Sequence, residues 1–272
     1  MKKFMAAYFA GLLFFAAPPF SPPVHADQVL LMAFNDTISK PWKWKTNGEY
    51  VGPFIDVMQE VAERSGITIR MVPLPWKRVL KELAEGQIDG FFGGYKTPAR
   101  EAAADFLYMP MGWAVLSIFV RKGEVFPFQK IEDLYGKRIG IVRGFTTSPE
   151  FDRAMREGLI SVDEAGNYSS LVKMLDAKRV DGIAGVTSTL QAHIEAMHLT
   201  DRLVMLPHPV TGPKPIYICV SKRADIPNRE KLIARMNQAM NDMEQDHAFE
   251  KIARKYGYGK CMVFGCVANW PH

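Results

Sequence analysis

Arg78–Gly94 reads RVLKELAEGQIDGFFGG, and Ser170–Val186 reads SLVKMLDAKRVDGIAGV. Aligned without gaps, the two share Lys81/Lys173, Leu83/Leu175, Asp89/Asp181, Gly90/Gly182 and Gly93/Gly185, and they keep apolar character at Val79/Leu171, Leu80/Val172 and Ile88/Val180. Each runs apolar residues at helical spacing, then a polar break, then Asp-Gly and a short apolar run into glycine. That pattern is a helix packed on a strand whose far end is kept small. Two copies predict two similar α/β lobes, with both strands ending near glycines where a solute can approach the backbone closely.

Working outward, Val29–Phe34 is a strand-like run followed by the loop SKPWKWKTNGEYVG. A helix over Phe54–Ser65 follows, with Val57, Met58, Val61 and Ala62 on one face and Gly66 as its stop. Ile67–Val72 reads as a strand, Trp76–Glu85 as a helix, Gly90–Gly93 as a short buried strand, and Ala114–Val120 as a long strand leaving the unit. This order is what a parallel sheet flanked by helices produces. The pattern restarts with a strand at Arg138–Val142, a polar turn at Gly144–Ser148 and a helix at Pro149–Glu157 with proline first. A helix at Ser169–Asp176, a strand at Gly182–Gly185 and a helix at Thr187–Met197, capped by Thr187 or Ser188, come next. The chain closes with a strand at Ile216–Ser221 and helices at Asn228–Gln245 and His247–Tyr256.

The expected fold class is therefore α/β, with two doubly wound lobes. Ser117–Arg121 and Tyr217–Ser221 are the expected strand crossings, placing residues 27–119 and 220–272 in a discontinuous first lobe and 120–219 in an inserted second lobe. Two crossings make a hinge, and a hinged cleft closes on a small solute.

Residues 1–26 read as a signal peptide: a basic Met1-Lys2-Lys3 start, an apolar Phe4–Ala17 run too short to span a bilayer, and small residues at Val24-His25-Ala26. No cysteine sits near the cut to carry a lipid. Loss of Lys2 and Lys3 takes the net charge from +5 to +3, and the remaining basic residues are scattered, which argues against nucleic acid as a partner. Cys261 and Cys266 lie in KCMVFGC, where an oxidising compartment would allow a small disulfide loop. Zinc would need more ligands than His272 adds. Cys219, within IYICV, reads as a buried small hydrophobe.

In order and spacing, PWKWKTNGEYVG, PWKRVLKELAEGQIDG, KTPAREAAADF, IEDLYGKRIGIVRGFTTSPEF, KMLDAKRVDGIAG and IYICVSKRADIP resemble the family 3 extracellular binding proteins, the periplasmic receptors of polar amino acid ABC importers. The resemblance runs from about Val29 to Tyr258. It implies a type II periplasmic binding fold, a monomer that closes on an amino acid or similar solute, a membrane permease or sensor receptor as partner, and no cofactor or metal.

By that resemblance Arg100 grips the ligand's carboxylate, a role its planar guanidinium suits because it can donate two parallel hydrogen bonds. Thr97 adds a hydrogen bond beside it. Thr146 and Thr147, at a helix start, supply donors from the second lobe, with Arg143 adjacent. This chain has GFTT, one residue longer than the usual glycine-threonine-threonine. Trp42 and Trp76 stand where the family sandwiches its ligand, and Tyr95 takes a position usually held by a small hydroxylated residue. Asp36 matches an acidic position near the ligand's amine or side chain. The second-lobe acid that binds the α-ammonium falls near Val186, where there is no carboxylate, and Thr187 offers only a hydroxyl. Either the ligand lacks a free α-amine or Asp36 alone meets it, since an ammonium buried without an opposing charge is costly.

The competing class is a secreted dehydratase-type enzyme on the same lobes. No Gly-x-Ser-x-Gly elbow or His-Glu-x-x-His helix is present, and His193 and His198 are spaced off a common helical face. The reading is a binder, not an enzyme.

Overall fold

The computed structural model describes residues 29–264, apart from the side chains of residues 261 and 262. The segment read as a signal peptide lies outside them, as does Cys266 of the expected disulfide. In chain order the first unit is β1 (Val29–Asn35), the hairpin β2 (Trp44–Thr46) and β3 (Glu49–Val51), α1 (Pro53–Arg64), β4 (Thr68–Leu74), α2 (Trp76–Glu85), β5 (Gly90–Tyr95), α3 (Pro98–Ala103) and β6 (Ala104–Phe106). The long strand β7 (Gly112–Arg121) leads to β8 (Arg138–Val142), α4 (Pro149–Arg156), β9 (Ser161–Ala165), α5 (Tyr168–Asp176), β10 (Gly182–Val186), α6 (Thr187–Ala196) and β11 (Leu203–Met205). A second long strand, β12 (Thr211–Ser221), returns to α7 (Arg229–Gln245), α8 (Ala248–Lys255) and α9 (Lys260–Phe264).

The main sheet runs β4-β1-β5-β12-β7-β10-β8-β9. Its two ends mirror each other. β4, β1 and β5 are parallel and are closed by antiparallel β12. Likewise β9, β8 and β10 are parallel and are closed by antiparallel β7. The repeated sequence is the helix-strand unit of each end, α2-β5 and α5-β10, and the shared aspartate does the same work twice. Asp89 Oδ2 accepts from Leu31 N at 2.7 Å in β1, and Asp181 Oδ2 accepts from Arg138 N at 2.7 Å in β8. Each aspartate pins the inner strand of its half. The shared glycine after it is steric in the first copy, where a Cβ on Gly90 would lie 2.2 Å from the Cys219 carbonyl oxygen. Gly93 stands at φ +84°, a left-handed conformation that favours glycine.

The two long strands change halves. β7 pairs β12 through Gly112–Leu116 and then pairs β10 through Leu116–Val120. β12 pairs β7 through Thr211–Ile216 and then β5 through Ile216–Val220. The crossing thus lies a few residues N-terminal of Ser117–Arg121 and Tyr217–Ser221, which are already committed to one half each.

Separate cores fill the halves. Phe34, Met58, Phe92, Met236 and Met240 anchor one cluster and Phe91, Leu83 and Cys219 another, both in the first half. Leu171, Leu175 and Ile183 anchor a third and Ile118, Leu134 and Phe151 a fourth, both in the second. Cys219 is a free, buried thiol, as its apolar run suggested, and burial raises its pKa. Two second-half residues, Val186 and Phe145, also pack on the first-half core, so the halves meet face to face. No helix among the described residues is long and apolar enough to cross a membrane.

Candidate functional site

In open parallel sheets, solutes bind beyond the carboxyl ends of the strands, where helices begin and backbone donors are free. Here four such ends converge. The last residues of β1, β5, β8 and β10, which are Asn35, Tyr95, Val142 and Val186, all line one cavity of about 90 Å³ between the halves. The first residues of α2 and α5, Trp76 and Tyr168, line it too, and these occupy equivalent places in the two repeats. The room equals roughly six to nine water molecules, by the space one water needs.

Arg100 reaches this cavity because Thr97 starts α3 directly after β5. The Thr97 hydroxyl accepts from Arg100 N at 3.3 Å as an N-cap and fixes the turn that carries the guanidinium inward. Arg100 is 7% exposed. Its Nη1 donates to the Tyr95 carbonyl at 3.0 Å, its Nη2 donates to Thr146 Oγ1 of the other half at 3.2 Å, and its Cζ sits 5.0 Å from the Trp76 ring centre. Burial lowers its pKa, yet an arginine stays charged at any physiological pH. Among the described residues no carboxylate pairs with it.

A second buried basic side chain faces the same space. Lys43 is 6% exposed, and its ammonium donates to the Thr37 carbonyl and stands 5.6 Å from the Phe34 ring centre. Burial pulls its pKa down to about 7, against a partial opposing pull from Asp36. The walls are aromatic. Trp42 stacks on Phe54 with ring centres 5.7 Å apart, and its Nε1 donates to the Val263 carbonyl at 2.9 Å, which ties α9 beneath the site. Among the described residues the buried Tyr95 hydroxyl has no hydrogen-bond partner, and the Tyr168 hydroxyl accepts from Val186 N at 3.4 Å. Burial raises the pKa of both tyrosines, so both keep their protons.

Of the residues singled out from the sequence, Trp42, Trp76, Tyr95, Arg100 and Thr146 lie along the cavity. Thr97 and Thr147 line an adjoining groove of about 490 Å³ that shares Tyr95 and Thr146 with it. Thr147 gives its hydroxyl hydrogen to Asp152 at 2.6 Å, while Ser148 caps α4 by accepting from Phe151 N.

The other three stand elsewhere. Asp36 is exposed, outside the cavity lining, where its backbone carbonyl accepts from the Tyr50 hydroxyl. Arg143 points to solvent and pairs with Glu164 at 3.1 Å. Thr187 does not cap α6, whose cap position is Val186. Its hydroxyl donates to the Val115 carbonyl at 2.9 Å and accepts from Ser117, locking α6 to the crossing strand.

Lys43 and Tyr168 escaped the sequence reading. Signals existed for both. Lys43 sits between Trp42 and Trp44 in a loop otherwise rich in large rings, and Tyr168 falls opposite Trp76 when the repeat alignment is extended by two residues.

The model of the bacterial extracellular solute-binding proteins, family 3, matches residues 30–259. A probable amino-acid-binding protein of Bacillus subtilis, YxeM, is 23% identical over 220 residues, covering 80% of each chain. An ancestral arginine-binding protein bound to arginine superposes with a TM-score of 0.71 at 23% identity, covering 84% of this chain and 97% of its own. A histidine kinase sensor domain with similarity to periplasmic binding proteins does so with a TM-score of 0.71 at 18% identity, covering 85% and 96%.

Proposed function

Because the chain belongs to the bacterial extracellular solute-binding proteins of family 3, we propose that it is a periplasmic receptor that closes on a small carboxylate-bearing solute, an amino acid or related compound, and delivers it to an ABC importer. One observation carries this reading: a buried guanidinium without a carboxylate partner among the described residues, lining a cavity between two halves and bonded to Thr146 across it. A carboxylate from solution is the missing partner. The half built on β1, β4 and β5 acts as one lobe and the half built on β8, β9 and β10 as the other, with the paired segments of β7 (Gly112–Leu116) and β12 (Thr211–Ile216) as the hinge. Contacts made to both lobes favour the closed arrangement by their differential affinity. Export rests on the basic and apolar character of residues 1–26.

The amino-acid-binding relative YxeM supports the solute class. The likeness to a kinase sensor domain supports a second destination, a membrane receptor that reads the closed form. A thermal-shift screen of the secreted chain against amino acids, dicarboxylates, opines and polyamines tests the solute class. A ligand at 100 times its dissociation constant adds about 2.7 kcal/mol of stability. No stabilisation by any carboxylate in the screen would contradict the reading. Deleting the gene separates the two destinations, since an importer subunit loses solute uptake and a sensor loses the response to solute while uptake continues.

A further inference from the structure

The charges around the cavity narrow the solute class. Arg100 and Lys43 both line it, each under a tenth exposed, and no aspartate or glutamate does so among the described residues. Nearby acids lie outside the lining. Glu164 pairs with Arg143, Asp152 accepts from Thr147, and Asp36, close enough to Lys43 to oppose the fall in its pKa, is exposed to solvent.

On the second half's side the lining is Val142, Phe145, Thr146, Tyr168, Val186 and Thr189, with no anion among the described residues. The Thr187 hydroxyl, one residue on, is held by Val115 and Ser117. An amino acid would therefore bring its ammonium into a ring-walled space beside the Arg100 guanidinium and the Lys43 amine, with no carboxylate among the described lining residues to meet it. Uncompensated burial and like-charge repulsion both oppose that. The groups with hydrogens to give, the Arg100 guanidinium, the Lys43 ammonium and the unpartnered Tyr95 hydroxyl, ask instead for oxygen acceptors.

We propose that the cavity takes a small organic carboxylate bearing no protonated amine, with its carboxylate on Arg100 and a second oxygen acceptor toward Lys43. This rests on the receptor reading and makes it narrower. The repulsion that excludes the amine is also the source of selectivity, because rejection of a competitor by an unpaired buried charge discriminates as well as attraction does.

Matched pairs that differ by the amine alone test it. Calorimetry on the secreted chain would compare alanine with propionate, aspartate with succinate, glutamate with glutarate, and phenylalanine with 3-phenylpropionate. The expected result is that the amine-free member binds at least tenfold tighter in each pair where binding is seen, and that Lys43→Met narrows the lead of succinate and glutarate over propionate. The pair comparison uses the unaltered protein, so it holds whether or not the variant folds. Equal or tighter binding of the amino member overturns this inference and leaves the receptor reading standing. Binding by no member of either column overturns both.

Discussion

Replacing Arg100 by methionine separates a binding residue from a structural one, because the two roles predict opposite balances. The guanidinium makes two hydrogen bonds, to the Tyr95 carbonyl and the Thr146 hydroxyl. Bonds to a charged group contribute about 1.5–3 kcal/mol each. Against this stands the desolvation of a cation only 7% exposed and without an anionic partner, a penalty of several kcal/mol. Methionine fills much of the same volume against Trp76 without the charge, so the two changes offset, and the ligand-free variant is expected within about 2 kcal/mol of the parent. For a domain of this size that is a melting shift of about 4–8 °C at most. Binding behaves differently. Loss of the partner of a buried carboxylate costs about 2–5 kcal/mol, or about 30- to 5,000-fold in affinity. Titration calorimetry with the tightest carboxylate, alongside melting curves without it, measures both quantities. An affinity within threefold of the parent, together with a large loss of ligand-free stability, would make Arg100 a bolt between the halves and refute the argument.

Lys43 gives the ligand-free protein a pH signature. Its pKa is about 7 when folded against about 10.5 when unfolded. Between those values the unfolded chain holds the proton and the folded chain does not, so stability rises with pH across that window and is lost again as pH falls toward 7. The slope is at most about 1.4 kcal/mol per pH unit. Urea titrations from pH 7 to 10 should show it in the parent and a flatter profile in Lys43→Met, and equal slopes would place the charge elsewhere. Val186→Asp puts an anion into a cavity that no described aspartate or glutamate lines, and it should shift preference within the glutamate/glutarate pair toward glutamate by tenfold or more in calorimetry. Asp89→Ala should cost about 1–3 kcal/mol in urea denaturation by freeing Leu31 N, and Asp181→Ala less, because Asp181 is exposed. The two losses should add, since the aspartates sit in different halves and share no partner.

The repeat made most of the scaffold legible because its signals are local. The α2 and β8 bounds follow directly from apolar spacing and Gly/Pro punctuation, and α5 starts one residue before the expected Ser169 and ends at the expected Asp176. The segments missed are those that exist only through pairing. β6 is three residues held to β12, and β9 (SVDEA) is an edge strand of mostly polar residues held to β8 alone. The β2–β3 hairpin, α3 and β11 are similarly short. At the site, Arg100 and Trp76 could be named because KTPARE and PWKRVL resemble the family's stretches at those places. Side chains whose direction depends on tertiary contacts could not be placed. Asp36 and Arg143 sit one residue beyond the strand ends Asn35 and Val142, and there they turn outward. Thr187 is claimed by a strand about 70 residues earlier in the chain. Lys43 looked like any loop lysine until the fold enclosed it.

A crystal structure with the tightest-binding carboxylate tests the central claim most directly. The account predicts ligand carboxylate oxygens within hydrogen-bond distance of the Arg100 guanidinium, with the same molecule touching Thr146 or its neighbours in the other half. A ligand seated on one half alone, or one whose carboxylate avoids Arg100, would contradict it.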